Sequence, residues 1–112
     1  MTLVISKLSD LKKLNFIVYL YDGEKLIWTN EPLRRVIEHL SGKKVEFSKE
    51  VFLKERIILF KFKFGFEVKI SQVRIDALRD NKKIYSRYWN LPHDLRLFPD
   101  DILELNWRLE IK

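Results

Sequence analysis

Twelve consecutive positions from Leu59 to Ile70, LFKFKFGFEVKI, alternate without a break in parity. Phe60, Phe62, Phe64, Phe66, Val68 and Ile70 fall on one side of such a strand, and Lys61, Lys63, Gly65, Glu67 and Lys69 on the other. Successive side chains of a strand point to opposite faces, so the segment predicts one element with an aromatic face and a basic face. At about 3.3 Å per residue it would span ~40 Å, roughly twice the usual strand, so it must coil or bend. Gly65 at its middle is the expected place, as a smooth kink because parity is kept through it.

The same patterning predicts the neighbouring elements. In NFIVYLYDGEKLIWT, Asp22-Gly23 separates two runs rich in aromatic and β-branched residues, a strong hairpin signal. A two-residue loop there pairs Tyr21 with Glu24, Tyr19 with Leu26 and Ile17 with Trp28. Upstream, Ser9 to Leu14 suits a short helical turn. Leu33, Val36, Ile37 and Leu40 recur at helical spacing behind a cap at Thr29 or Asn30, with Pro32 in the first turn and Gly42 at the end. Lys43 to Phe47 reads as a short strand, and Ser48 to Glu55 as a helical turn or a loop.

Val73, Ile75 and Ala77 alternate in the parity opposite to Val68 and Ile70, which calls for a turn or bulge near Ser71-Gln72. A helix starting at Ser71 is the competing reading. Residues 79–82 read as a turn and 83–89 as the returning strand. The proline-containing stretch 91–101 is mostly irregular, with a short strand at 95–98. ILELNWRLEIK closes the chain with Leu103, Leu105, Trp107, Leu109 and Ile111 on one face, as expected of a strand paired inside a sheet. The expected fold is α+β: a mainly antiparallel, strongly curved sheet or half-open barrel of six to seven strands, with one main helix (about 30–41) packed on it.

Composition narrows the function classes. A chain of 112 residues with 46% apolar residues is the size of a single domain, 1–112, with a real core. The absence of cysteine excludes disulfides, thiolate metal sites and cysteine nucleophiles. No apolar run approaches the roughly 20 residues of a membrane span, and the N-terminal stretch is interrupted by Lys7, Asp10, Lys12 and Lys13. The expectation is an intracellular protein with no membrane partner. Abundant Lys and Glu beside one Ala, one Gln and one Met resemble thermophile composition.

Charge points to a partner. The net charge is +6, and residues 43–88 carry 13 Lys/Arg against 6 Asp/Glu. The segment KKIYSRYW interleaves cations with aromatics, as single-strand binders do to hold phosphates and stack bases. The candidate nucleic-acid-binding residues are Lys61, Lys63, Lys69, Arg74, Arg79, Lys82, Lys83, Tyr85, Arg87 and Tyr88. The plainer reading has Tyr and Trp in the core and the lysines solvating an exposed face.

Catalytic chemistry finds little support. Glu67-Val-Lys69 and Glu110-Ile-Lys112 each spell the ExK half of a metal-dependent nuclease motif, but a continuous strand puts Asp100 about 30 Å from Glu110. His39 and His93 are lone histidines beside acidic neighbours. Three isolated glycines make no phosphate-binding loop. No catalytic residue, cofactor or metal is expected. The leading expectation is a small non-enzymatic domain that binds nucleic acid. The alternative is a protein-interaction module, a small inhibitor or accessory subunit of viral or archaeal type, that pairs with a partner or a second copy through a sheet edge.

Overall fold

The computed structural model describes residues 2–31, 44–92 and 95–111. Ten strands run through them: β1 (Thr2–Ile5), β2 (Leu14–Asp22), β3 (Lys25–Thr29), β4 (Val45–Phe52), β5 (Ile57–Phe64), β6 (Val68–Lys69), β7 (Gln72–Arg79), β8 (Lys82–Asn90), β9 (Arg96–Leu97) and β10 (Ile102–Ile111). A short 3-10 helix at Leu8–Lys13 joins β1 to β2. The strands form two four-stranded sheets, ordered β1-β10-β5-β4 (sheet A) and β3-β2-β7-β8 (sheet B), and a ribbon of β6 with β9. All pairings are antiparallel except β1 with β10.

The inner faces of the two sheets meet in an aromatic core. Phe60 of β5 lies 5.3 Å from Phe16 of β2, 6.5 Å from Trp89 of β8 and 6.4 Å from Trp107 of β10, centroid to centroid. Such edge and tilted packings suit the ring quadrupoles. Val18, Leu20, Val73 and Ile75 from sheet B and Ile58, Phe62, Trp107 and Leu109 from sheet A complete a continuous buried layer.

The α+β expectation is overturned. Strands take 68% of the described residues and helix 6%, and no helix among them reaches seven residues. Two stacked sheets stand where one curved sheet or half-open barrel of six to seven strands was expected. The main helix expected over about 30–41 lies outside the described residues beyond Asn30 and Glu31, which are irregular.

The reason lies in the opening alternation. It is two strands in different sheets. β5 ends at Phe64, the chain bends at Gly65-Phe66, and β6 pairs with β9 instead of continuing sheet A. At the bend the Gly65 N–H donates to the Lys44 carbonyl at 3.0 Å. Parity survives because both pieces face one core: Phe60, Phe62, Phe64, Val68 and Ile70 are all buried. Alternation reports which side faces the core and is silent about sheet membership.

Two turns fix the register of sheet B. The β2–β3 loop is Gly23-Glu24, one residue later than expected, with Asp22 opposite Lys25 and Tyr19 opposite Thr29. Gly23 has φ +61° and Glu24 is not left-handed, which suits a glycine in the first loop position of a two-residue hairpin. A bulge at Ile27 then lets Ile27 and Trp28 both be buried. The β7–β8 loop, Asp80-Asn81, has both residues at positive φ (53° and 64°), as a type I′ turn requires. Residues 72–79 are strand, and the parity change falls at Ser71, whose N–H donates to the Tyr21 carbonyl at 2.8 Å.

Candidate nucleic-acid interface

The ten residues expected to bind nucleic acid are divided among four separate surfaces and the interior. Lys61 and Lys63 project from the outer face of sheet A. Lys61 stands between Ser48 and Glu104, and Lys63 between Glu46 and Ile102. The Lys63 ammonium is also 3.7 Å from the Asp100 carboxylate. On this face Lys61, Lys63 and Arg108 share strand registers with Glu46, Glu50, Glu104 and Glu110. The face is balanced in charge. Lys69 lies in the ribbon opposite Arg96, which pairs with Glu67 at 3.1 Å.

Arg74 and Tyr88 lie on the outer face of sheet B. The Arg74 guanidinium donates through Nε and Nη2 to both oxygens of Asp76, at 2.9 and 2.8 Å. The Ser86 hydroxyl donates to the same carboxylate. Asp76 is only 4% exposed, so these partners replace the water that its charge has lost. The guanidinium also lies 4.9 Å from the Tyr19 ring centroid and 5.8 Å from that of Tyr88. The hydrogen bonds to Asp76 raise the pKa of Arg74. Burial and the hydrogen bond that the Tyr19 hydroxyl donates to Glu31 (3.0 Å) push the Tyr19 phenol up to about 12. This cluster is a satisfied ion pair, committed to its own neighbours.

Arg87 and Tyr85 point from β8 toward the interior. Arg87 donates to the Asn106 carbonyl at 2.9 Å and lies 4.6 Å from the Trp89 ring centroid, so it ties sheet B to sheet A. Burial lowers its pKa. Tyr85 packs against the core. Alternate residues of KKIYSRYW therefore serve opposite faces of one strand.

Arg79, Lys82 and Lys83 remain, exposed at the tip of the β7–β8 hairpin. The fold brings them further cations that the sequence reading missed. Arg79 is paired with Leu14, the residue after Lys12 and Lys13 at the end of the 3-10 helix. Lys49 comes from β4 in the other sheet and shares one groove with Asn81 of the hairpin turn. One end of the molecule thus collects Lys12, Lys13, Lys49, Arg79, Lys82 and Lys83 from three separate segments. Asp10 and Asp80 are the carboxylates of the 3-10 helix and the hairpin turn, Glu46 and Glu50 of β4 lie on the outer face of sheet A, and Asp10 accepts the Lys7 backbone N–H at 3.1 Å.

The groove has a structural cause. β3 covers only Tyr19–Asp22 of β2, leaving the first half of β2 as an edge. The Asn30 side chain stands in for the missing strand, accepting the Val18 N–H at 2.7 Å and donating to the Phe16 carbonyl at 3.0 Å. Facing this edge across the gap between the sheets is β4, the edge strand of sheet A. Between them lies a groove of about 540 Å³ lined by Phe16, Ile17, Phe47, Lys49, Leu78 and Asn81, among others. It runs on into a hollow of about 240 Å³ that shares Phe16 and Lys49 and adds Lys12 and Val51. The Lys49 ammonium lies 4.5 Å from the Phe16 ring centroid, and burial lowers its pKa.

Lys49 did carry a signal. Val45, Phe47, Lys49 and Val51 form the inward parity of β4, so a cation stands where an apolar residue is expected. Elsewhere the chemistry is structural. Asp100 and Glu110 lie toward opposite ends of β10, and the Asp101 carboxylate accepts the Phe98 N–H at 2.8 Å in the preceding turn. His39 and His93 lie outside the described residues. Among the described residues no group of three or more His, Asp and Glu side chains is placed to hold a metal ion, and no helix is long and apolar enough to cross a membrane. Comparison with protein-family models, with curated proteins and with solved structures found no match.

Proposed function

We propose that this protein is a small non-enzymatic domain that binds nucleic acid at the basic end of its sandwich. The observation that carries the proposal is the convergence of Lys12, Lys13, Lys49, Arg79, Lys82 and Lys83 on one end, around a groove with apolar walls. Clustered exposed cations act on a polyanion together and raise its local concentration. The Lys61/Lys63 face is assigned no role in binding, because Glu46, Glu104 and Asp100 stand beside those lysines.

The test is fluorescence anisotropy of a labelled single-stranded oligonucleotide over a range of salt. Contact with about four phosphates gives a slope of about −3 in log K against log salt, from roughly −0.7 per phosphate. Replacing Lys82 and Lys83 together by Glu should abolish binding at moderate salt, whereas the same change at Lys61 and Lys63 should leave it nearly intact. Absence of salt-sensitive binding, or equal binding of polyglutamate, would sink the proposal.

The rival reading, pairing of a partner through a sheet edge, draws on β4, an eight-residue strand at the edge of sheet A with exposed Val51 followed by exposed Leu53. Lys49 weighs against it. A charge pointing inward from an edge strand is a common device for preventing another strand from docking there. Light scattering separates the two: a tight dimer that ignores added oligonucleotide favours the edge.

A further inference from the structure

We infer that the groove between β2 and β4 receives an unpaired base, so that the nucleic acid bound at this end is single-stranded. The inference rests on the proposed function and names its substrate class. A duplex offers phosphates on its outside with the bases stacked within, and a concave site reaches a base only if the base leaves the stack. The cations alone would accept either form. What distinguishes a single strand here is the groove they surround.

Phe47 forms one wall. Its ring stacks on Phe62 at 5.0 Å and on Phe60 at 6.0 Å, yet the residue is only half-buried and borders the groove. Ile17 and Leu78 lie along the opposite bank, where the outer face of sheet B turns over the open edge of β2. Polar groups suited to a base edge are also in place. Asn81 sits in the turn at the mouth with φ +64°, and Asn15 borders the same space. Lys49 crosses the groove over Phe16, where it can meet the phosphate beside an inserted base. An apolar wall, amide groups and a cation at the mouth are the parts that single-strand binders combine.

The experiment uses the full chain and three labelled ligands of equal length: a single strand, the same strand with abasic sites, and a duplex. The intact single strand should bind about tenfold or more tightly than the abasic strand, the order of one base packed on an aromatic wall. It should also bind more tightly than the duplex. The variant Asn81→Gly keeps the left-handed turn and removes the amide. It should weaken the intact strand about fivefold, the worth of roughly one hydrogen bond, and leave the abasic strand unchanged.

Equal affinity for all three ligands, with the expected salt slope, would overturn base insertion while leaving nucleic-acid binding in place. Absence of salt-sensitive binding to any of them would remove the underlying function, and the inference with it.

Discussion

Phe60 is the side chain on which the stacking of the two sheets depends most. It is fully buried on β5 and meets rings from four strands: Phe16 on β2 at 5.3 Å, Phe47 on β4 at 6.0 Å, Trp89 on β8 at 6.5 Å and Trp107 on β10 at 6.4 Å. Phe-to-Ala changes in cores cost about 3–5 kcal/mol from lost transfer and the cavity left behind. Aromatic pairs add about 0.5–1.5 kcal/mol each beyond area, although four sharing one ring do not add independently. Phe60→Ala should therefore cost about 5 kcal/mol, a large part of the roughly 5–15 kcal/mol by which domains are stable. Phe60→Leu keeps most of the volume and loses the ring contacts, for about 2 kcal/mol. Phe98→Ala is the control: Phe98 is 51% exposed, and such surface changes stay within about 0.5 kcal/mol. Urea unfolding followed by tryptophan fluorescence reads all three. With a slope of about 1–2 kcal/mol per molar urea, Phe60→Leu should lower the midpoint by at least ~1 M. A Phe60→Leu midpoint equal to that of Phe98→Ala would refute a core shared between the sheets.

Further expectations concern the polar parts of the fold. Asp76→Ala leaves the Arg74 guanidinium and the Ser86 hydroxyl without their common acceptor, and should cost about 2–3 kcal/mol in urea unfolding, less than a fully buried pair because Arg74 is partly exposed. Tyr19 has its folded pKa raised from 10.0 to about 12, so the stability it contributes is complete below pH 10 and is lost as pH rises to 12. Ultraviolet titration of tyrosinate should show one late-ionising tyrosine, absent in Tyr19→Phe. Gly23→Ala places a side chain at φ +61° and should cost about 1 kcal/mol, with no steric clash to add to it. A cost near zero would mean that the β2–β3 loop does not hold this conformation.

Strands with one clean apolar face were legible in the sequence. β5, β7 and β10 were each found, and β10 is paired on both sides as its five-residue apolar face required. β1 was missed because four residues hold too short a pattern. β4 was cut short at Phe47, because Ser48, Lys49 and Glu50 put polar side chains on both of its faces. Sheet membership was not legible at all, since Gly65-Phe66 preserves parity while carrying the chain away from sheet A. The same limit dispersed the candidate site. Lys61/Lys63 and Arg74/Tyr88 follow one another in sequence but project from the outer faces of opposite sheets. Lys12, Lys13 and Lys49, in turn, meet the β7–β8 tip only through long-range pairing, which local patterning does not contain.

The parallel pairing of β1 with β10 also governs the order in which this chain can fold. Thr2–Ile5 lies beside Arg108–Ile111, so nearly the whole sequence separates partners that touch. All four strands of sheet B are available once residue 90 has been synthesised. Sheet A is different: until β10 arrives, β5 has β4 on one side and an open edge on the other, and β1 has no strand to join. Contacts so distant in sequence slow folding, because a long loop must close before any of them is formed. In a growing chain the aromatic strand β5 is therefore half-paired, with β4 on one side only, until β10 is made.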